Sequence, residues 1–303
     1  MTHSIDTILS YYSSESTAIR TNLYRLLTHG KLGGSGKILI QAVDQGFEHG
    51  PTRSYVNNLD AMDPNYHFQM ACDAGISSYT GPIGWLEQAV DNFVGKVPLI
   101  LKLNSGNSLF SSQNQPDQAN TASVKDAVRL GCIGVGFTLY PGSDENLNLI
   151  REASEIIAEA RSYGLFTVLW SYARGGELEK KDETALDVIS YGAHMACLLG
   201  AHIVKVKIPS SHIAMKAHLD VYENIPKDSV IDRVRHVVQC CFNGKRIVIF
   251  SGGETKSDTD LLNDIHGIQK GGGFGSIMGR NIFQRPKENA IKMLSDIQSI
   301  FLS

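Results

Sequence analysis

Eight short apolar runs, each followed by a segment of helical periodicity, limit what this 303-residue chain can fold into. The runs read as strands, at 37–43, 76–79, 97–104, 133–140, 165–172, 201–209, 246–250 and 275–278. Between and after them, apolar residues recur at helix spacing over 64–73, 83–94, 123–130, 144–163, 184–199, 228–242, 258–270 and 286–301. Strands that alternate with helices and are apolar on both faces argue for a parallel sheet covered by helices. Eight such units over about 260 residues favour a closed barrel, the (β/α)8 TIM barrel, over an open doubly wound sheet. No G-x-G-x-x-G follows the first strand, which weakens a dinucleotide-binding reading. Residues 1–303 are therefore expected to form one barrel domain, with 1–35 as a helical N-terminal extension. Residues 4–29 read as helical and the glycine-rich 29–36 ends that segment.

Composition narrows the function. A net charge of −3 offers no electrostatic argument for nucleic acid or an anionic membrane. No apolar run is long enough to span a bilayer, and residues 1–4 lack the features of a signal peptide. The five cysteines (Cys72, Cys132, Cys197, Cys240, Cys241) form no C-x-x-C and make a poor disulfide framework, so reduced thiols in a cytoplasmic protein are expected. The ten histidines include no H-x-H or H-E-x-x-H, and no catalytic metal is expected.

The chemistry concentrates where such barrels place their active sites, at the C-terminal strand ends. Those ends offer Asp44, then Lys102 and Asn104, then Trp170, Tyr172 and Arg174, then Lys205 and Lys207. Within the sixth strand, side-chain alternation puts Val204 and Val206 on one face and Ile203, Lys205 and Lys207 on the other. A lone K-x-K is ordinarily a solvated edge strand. In a barrel it becomes two amines on an inward face, which is costly unless that face lines a wet pocket. Burial and the neighbouring Lys207 should both lower the pKa of Lys205, leaving a free amine able to condense with a ketone. A protonated imine then serves as an electron sink for making or breaking a carbon–carbon bond, without a cofactor. Tyr172 and Asp44 are candidates for the proton shuttle. Tyr172 could equally be a rim residue with a satisfied hydroxyl, and Asp44 a turn former or salt-bridge partner.

Ser251-Gly252-Gly253 and Gly279-Arg280 end the seventh and eighth strands, where these barrels commonly hold a phosphate. Glycines admit backbone N–H groups to an anion and Arg280 can clamp it bidentately. Glu48 and His49 are expected to shape the loop after the first strand.

Taken together, Val43 to Pro51 (VDQGFEHGP), Leu169 to Gly176 (LWSYARGG), Val204 to Lys207 (VKVK), Phe250 to Gly253 (FSGG) and Met278 to Asn281 (MGRN) resemble the archaeal-type class I fructose-bisphosphate aldolases, the DhnA-type family. The correspondence runs in order from about residue 36 to 301. The resemblance implies a Schiff-base lysine at Lys205, a tyrosine proton donor at Tyr172 with Trp170 beside it, and a catalytic aspartate at Asp44. It implies phosphate binding at Ser251, Gly252, Gly253, Gly279 and Arg280, with Arg174 for the second phosphate; Lys102 and Lys207 complete the expected substrate-binding set. It also implies a phosphorylated sugar substrate and a ring-like homo-oligomer such as a decamer. The chain departs from compact members by its extra N-terminal residues and by a longer segment from Ser210 to Lys227 at the mouth of the site. Rival readings are a family synthase of aromatic precursors, a thiolase-type relative, and a non-catalytic phosphate-binding barrel.

Overall fold

The computed structural model describes residues 4–109, 116–252 and 256–303. Eight parallel strands close into a barrel: β1 (Ile38–Ala42), β2 (Ser78–Pro82), β3 (Leu99–Lys102), β4 (Gly134–Leu139), β5 (Phe166–Ser171), β6 (Ile203–Lys207), β7 (Ile247–Ser251) and β8 (Gly275–Met278). Each strand pairs with its sequence neighbours, and β8 closes on β1 through Ile38–Gly275 and Ile40–Ile277. The expected strands are all present. The second is displaced, covering Ser78–Pro82 rather than 76–79, because its small polar residues carry no apolar periodicity to mark where pairing begins.

The period of two in each strand sorts side chains into two layers. Leu39, Tyr79, Leu101, Val135, Leu169, Val204, Val206, Val248 and Phe250 face outward into a continuous core with the surrounding helices. Ile38, Ile40, Ile100, Phe166, Val168, Trp170, Ile203, Ile247, Ile249 and Ile277 face inward and fill the barrel. The two largest interior side chains, Phe166 and Trp170, both come from β5. The neighbouring strand makes room for them. A Cβ on Gly134 would stand 2.4 Å from the Phe166 ring, and one on Gly136 only 1.9 Å from Trp170.

The inner cluster continues into Ile8, Tyr12, Ile19, Leu23, Leu26 and Leu27, so the N-terminal helices seal one end of the barrel. The single helical stretch expected over 4–29 is in fact two helices, Ile5–Ser10 and Thr17–Thr28. Ser16 breaks it by capping the second: its hydroxyl accepts from Ile19 N–H. Tyr12 fixes the plug to the barrel floor, its hydroxyl donating to His202 O at 2.6 Å and accepting from Ile247 N–H at 3.0 Å. With that end closed at the starts of β6 and β7, only the C-terminal strand ends stay open.

Most expected helices lie within a residue or two of their predicted bounds, as in Asn146–Ser162, Leu186–Leu198 and Asp258–Lys270. The stretch 83–94 is instead a short helix, Ile83–Glu87, and a 3-10 turn, Val90–Phe93. The long segment after β6 is irregular apart from a 3-10 turn at Lys216–His218. It is held by the buried Asp187 carboxylate, which accepts from Ala214 N–H and Met215 N–H at 3.0 Å each and hydrogen-bonds His218 Nδ1 at 3.0 Å. All five cysteines are free. Among the described residues, no helix is long and apolar enough to cross a membrane.

Candidate active site

At the open end of the barrel a cavity of about 140 Å³ is lined by Asp44, Tyr172, Arg174, Lys205, Lys207, Ser251, Gly252, Gly279 and Arg280. A smaller lobe of about 40 Å³ shares Asp44, Tyr172 and Arg174 with it and adds Lys102, Asn104 and Trp170. Every described residue singled out from the sequence therefore meets in one two-lobed depression. Gly253 lies outside the described residues.

Lys205 is buried near the end of β6, with its ammonium position 5.1 Å from the ring centroids of both Trp170 and Tyr172. Burial pushes its pKa from the ordinary 10.5 down to about 7; Asp44 opposes the shift and Lys102 adds to it. At neutral pH about half of such amines are free, against about one in three thousand for an exposed lysine. The sequence pointed to Lys207 as the depressing charge. The structure gives that role to Lys102 and, more weakly, to Arg280. Lys207 is instead engaged by Glu183, whose Oε2 it meets at 2.7 Å.

Lys102 comes from the end of β3 and is itself buried, its pKa pushed down by burial to about 8. Asn104 holds it, accepting from Nζ with its Oδ1 at 2.7 Å and with its own carbonyl. The same Oδ1 accepts from Thr138 N–H at 2.7 Å, and Asn104 Nδ2 donates to Thr138 O, which ties the β3 exit to β4. This makes Asn104 a brace rather than a free ligand.

Tyr172 stands one residue beyond β5 with its ring against both lysines, 5.1 Å from Lys205 Nζ and 5.9 Å from Lys207 Nζ. Burial pushes its phenol well above the ordinary value of 10, opposed by a side-chain hydrogen bond with Ser251. It therefore holds its proton at neutral pH. Trp170 is fully buried beneath it, and its Nε1–H has no hydrogen-bond partner among the described residues. Asp44 follows β1 and acts electrostatically on Lys205, Lys102 and Tyr172 alike.

On the far wall the ends of β7 and β8 bring Ser251 and Gly252 beside Gly279 and Arg280. Asn281 joins the two loops: its Oδ1 accepts from Lys256 N–H at 3.0 Å and its Nδ2 donates to Gly252 O at 3.4 Å. A Cβ on Gly279 would stand 2.8 Å from Gln45 Nε2 and 3.2 Å from Ala42 O, so a side chain there would push the Gln45 amide aside and crowd the β1 exit. Arg174 occupies the opposite rim. Its Nη1 meets Glu48 Oε1 at 3.0 Å and its guanidinium lies 5.5 Å from the Tyr140 ring centroid. Burial pushes the Glu48 carboxyl up, but Arg174 and His49 outweigh it and hold the net value below the ordinary range.

Several lining groups escaped the sequence reading. Gln45 lies inside the quoted VDQG run and Asn281 inside MGRN, so their motifs already marked them. Lys180 and its partner Glu183 lie in a charged loop that reads as solvated surface, and nothing local distinguishes them. Among the described residues, no three histidine, cysteine or acidic side chains converge as metal ligands.

Residues 38–285 match the model of the DeoC/LacD family aldolases. A probable fructose-bisphosphate aldolase class 1 of Chlamydia muridarum is 32% identical over 96% of this chain and 86% of its own length. The fructose-bisphosphate aldolase class 1 of Thermoproteus tenax is 34% identical over 82% of this chain and 84% of its own. Among solved structures, an archaeal fructose-1,6-bisphosphate aldolase, with its catalytic lysine covalently bound to the carbinolamine intermediate of the substrate, superposes with a TM-score of 0.74. It is 32% identical and covers 88% of this chain and 95% of that one.

Proposed function

Because the chain belongs to the DeoC/LacD family of aldolases, we propose that it is a class I, Schiff-base fructose-bisphosphate aldolase with Lys205 as nucleophile. The observation that carries this reading is a lysine with its pKa pushed to about 7, between Trp170 and Tyr172, at the open end of the barrel. An enzyme that must present a free amine at neutral pH needs such an environment, and a phosphate-binding scaffold does not.

The free amine of Lys205 adds to the C2 carbonyl of fructose 1,6-bisphosphate, and loss of water from the carbinolamine leaves a protonated imine. Removal of the C4 hydroxyl proton lets the C3–C4 bond break, its electron pair flowing toward the imine nitrogen to give an enamine. Glyceraldehyde 3-phosphate departs. Protonation of the enamine at C3 and addition of water then release dihydroxyacetone phosphate and restore the amine. Tyr172, holding its proton beside Lys205, is the first candidate to donate at the carbinolamine oxygen and to exchange protons at C3 and C4. Asp44 lines the same cavity as a second proton carrier. Trp170 offers the smaller lobe an N–H that is uncommitted among the described residues.

Two phosphates fix the substrate's direction across the cavity. Ser251, Gly252, Gly253, Gly279 and Arg280 take the phosphate next to the imine carbon. Arg174, whose Nε is buried without a partner among the described residues, takes the distal one together with Lys102 and Lys207. Charge-assisted contacts of this kind select phosphorylated sugars over free ones. The same reading makes the protein a cytoplasmic homo-oligomer, for which light scattering on the purified chain is the direct measurement.

The test is borohydride reduction in the presence of dihydroxyacetone phosphate, followed by peptide mapping. The adduct is expected on Lys205 and is lost in Lys205→Ala, while turnover survives prolonged EDTA treatment. An adduct on Lys102 or Lys207, or activity lost to EDTA and restored by zinc, would overturn the assignment. Turnover of fructose 1,6-bisphosphate set against other sugar phosphates separates this substrate from those of related synthases.

A further inference from the structure

Two lysines, not one, reach the Tyr172 ring from β6, Lys205 Nζ at 5.1 Å and Lys207 Nζ at 5.9 Å. Both side chains line the same cavity and both are substantially buried. A carbonyl substrate entering that cavity meets two primary amines, and an imine on the wrong one would sit out of register with the proton shuttle. Something must distinguish them.

The distinguishing contact is a fork on one oxygen. Glu183 Oε2 receives Lys207 Nζ at 2.7 Å and Lys180 Nζ at 3.1 Å. Glu183 sits in the 3-10 turn Asp182–Thr184, and that turn is itself held from two sides. Ser210, three residues beyond Lys207, donates its N–H and its hydroxyl to Thr184 O at 2.7 and 3.0 Å. His212 Nε2 meets Asp182 Oδ1 at 2.7 Å. The carboxylate is thus fixed in place by the chain that leaves β6, immediately after the lysine it engages.

We propose that Glu183 is a positioning residue that makes Lys205 the sole nucleophile, by holding Lys207 as an ammonium turned to the cavity rim and away from carbonyl chemistry. The inference rests on the aldolase reading of the site. It adds to that reading a division of labour between two adjacent inward lysines. Among the described residues, Glu183 stabilises the charged form of Lys207, whereas Arg174 and Lys180 oppose it, and the Tyr172 ring lies against it. Burial lowers the pKa of Lys207 and Glu183 offsets part of that, so the net value stays below the ordinary range but higher than burial alone would set it. For Glu183, burial pushes the carboxyl up, and the two lysines, Lys207 foremost, hold the net value below the ordinary range. Take away the carboxylate charge, and burial with two neighbouring cations is left to drive Lys207 toward the free amine.

The test is brief reductive methylation with limiting formaldehyde and cyanoborohydride, read by peptide mass spectrometry. The exposed Lys125 serves as the internal reference. This labelling reports free amine whatever the substrate is. In the native protein the ion pair with Glu183 should keep the labelling of Lys207 slow. In Glu183→Gln, which keeps the shape and loses the charge, its rate relative to Lys125 should rise by about tenfold, the equivalent of one pKa unit. Glu183→Asp, which keeps the charge, should stay near the native rate and guards against an effect of misfolding. In the Lys205→Ala background, dihydroxyacetone phosphate and borohydride should give no adduct unless Glu183→Gln is added, when an adduct appears on Lys207. A labelling rate in Glu183→Gln within twofold of native overturns the proposal and leaves the aldolase reading standing. Trapping on a residue other than Lys205 in the unaltered protein sinks that reading, while the labelling comparison still decides the role of Glu183.

Discussion

Lys102 and Lys205, from strands separated by two others in the barrel, stand over the same Trp170 ring, with Nζ 5.6 Å and 5.1 Å from its centroid. The indole faces both amines, and each cation makes a second charge beside it harder to hold. Both lysines are buried, burial is the larger force on each, and Lys102 lowers Lys205 further.

That relationship sets a pH dependence. The folded-state pKa of Lys205 lies near 7, below the ordinary 10.5, so the reactive amine accumulates as pH rises through about 7 and is lost below it. Trapping with dihydroxyacetone phosphate should show an acid limb near that value. Removing the neighbouring cation in Lys102→Met should raise the pKa of Lys205 and carry the limb to higher pH. A limb that stays put or moves to lower pH would show that Lys102 does not tune the nucleophile.

Replacing Tyr172 with phenylalanine removes the hydroxyl and keeps the ring that both lysines face. Imine formation should persist while carbon–carbon cleavage slows by on the order of 10²–10⁴. Rapid-quench borohydride trapping should reveal an accumulated covalent intermediate. Turnover equal to that of the native protein would pass the proton transfer to Asp44 or to solvent.

Arg280 follows Gly279 on the wall formed by β7 and β8. Arg280→Ala should cost roughly 2–5 kcal/mol of binding to phosphorylated substrates, read as a large increase in KM. A KM within twofold of native would place the phosphate elsewhere.

Gly136 tests the packing beneath the site. An added Cβ would meet the six-membered ring of Trp170 at 1.9 and 2.2 Å, and a rigid indole in a filled barrel has no slack to give. Gly136→Ala should destabilise the fold by about 1–3 kcal/mol or more. It should also displace Trp170, reducing turnover along with the melting temperature. Unchanged tryptophan fluorescence together with native turnover would mean that β4 shifts to accommodate the methyl group.

What could be read from the sequence was whatever depends on neighbours along the chain. Alternation within β6 placed Lys205 and Lys207 on the inward face because successive strand side chains point to opposite sides, a property of the backbone alone. The count of strand and helix units called for a barrel, and the barrel in turn assigned the reactive residues to the C-terminal strand ends. Motifs at those ends marked Asp44, Tyr172, Ser251 and Arg280, and all of them line the cavity.

Only the closed barrel decided which of these residues touch. That the cation tuning Lys205 comes from β3 and not from its own strand follows from curvature, which swings Lys102 across to the Trp170 ring. That Gly136 exists for Trp170 is a fact about adjacent strands far apart in sequence, and a glycine in a strand carries no record of the ring it accommodates. The helices over 5–28 read simply as amphipathic; that they close the barrel floor through Tyr12 depends on contacts some 190 and 235 residues away. Glu183 illustrates the limit most sharply. In the sequence it is one charge in an acidic and basic loop, and it gains meaning only when the fold sets it 2.7 Å from Lys207. Backbone geometry is written locally and can be read locally, whereas electrostatic and packing partners are chosen by distance in space, which the order of residues does not contain.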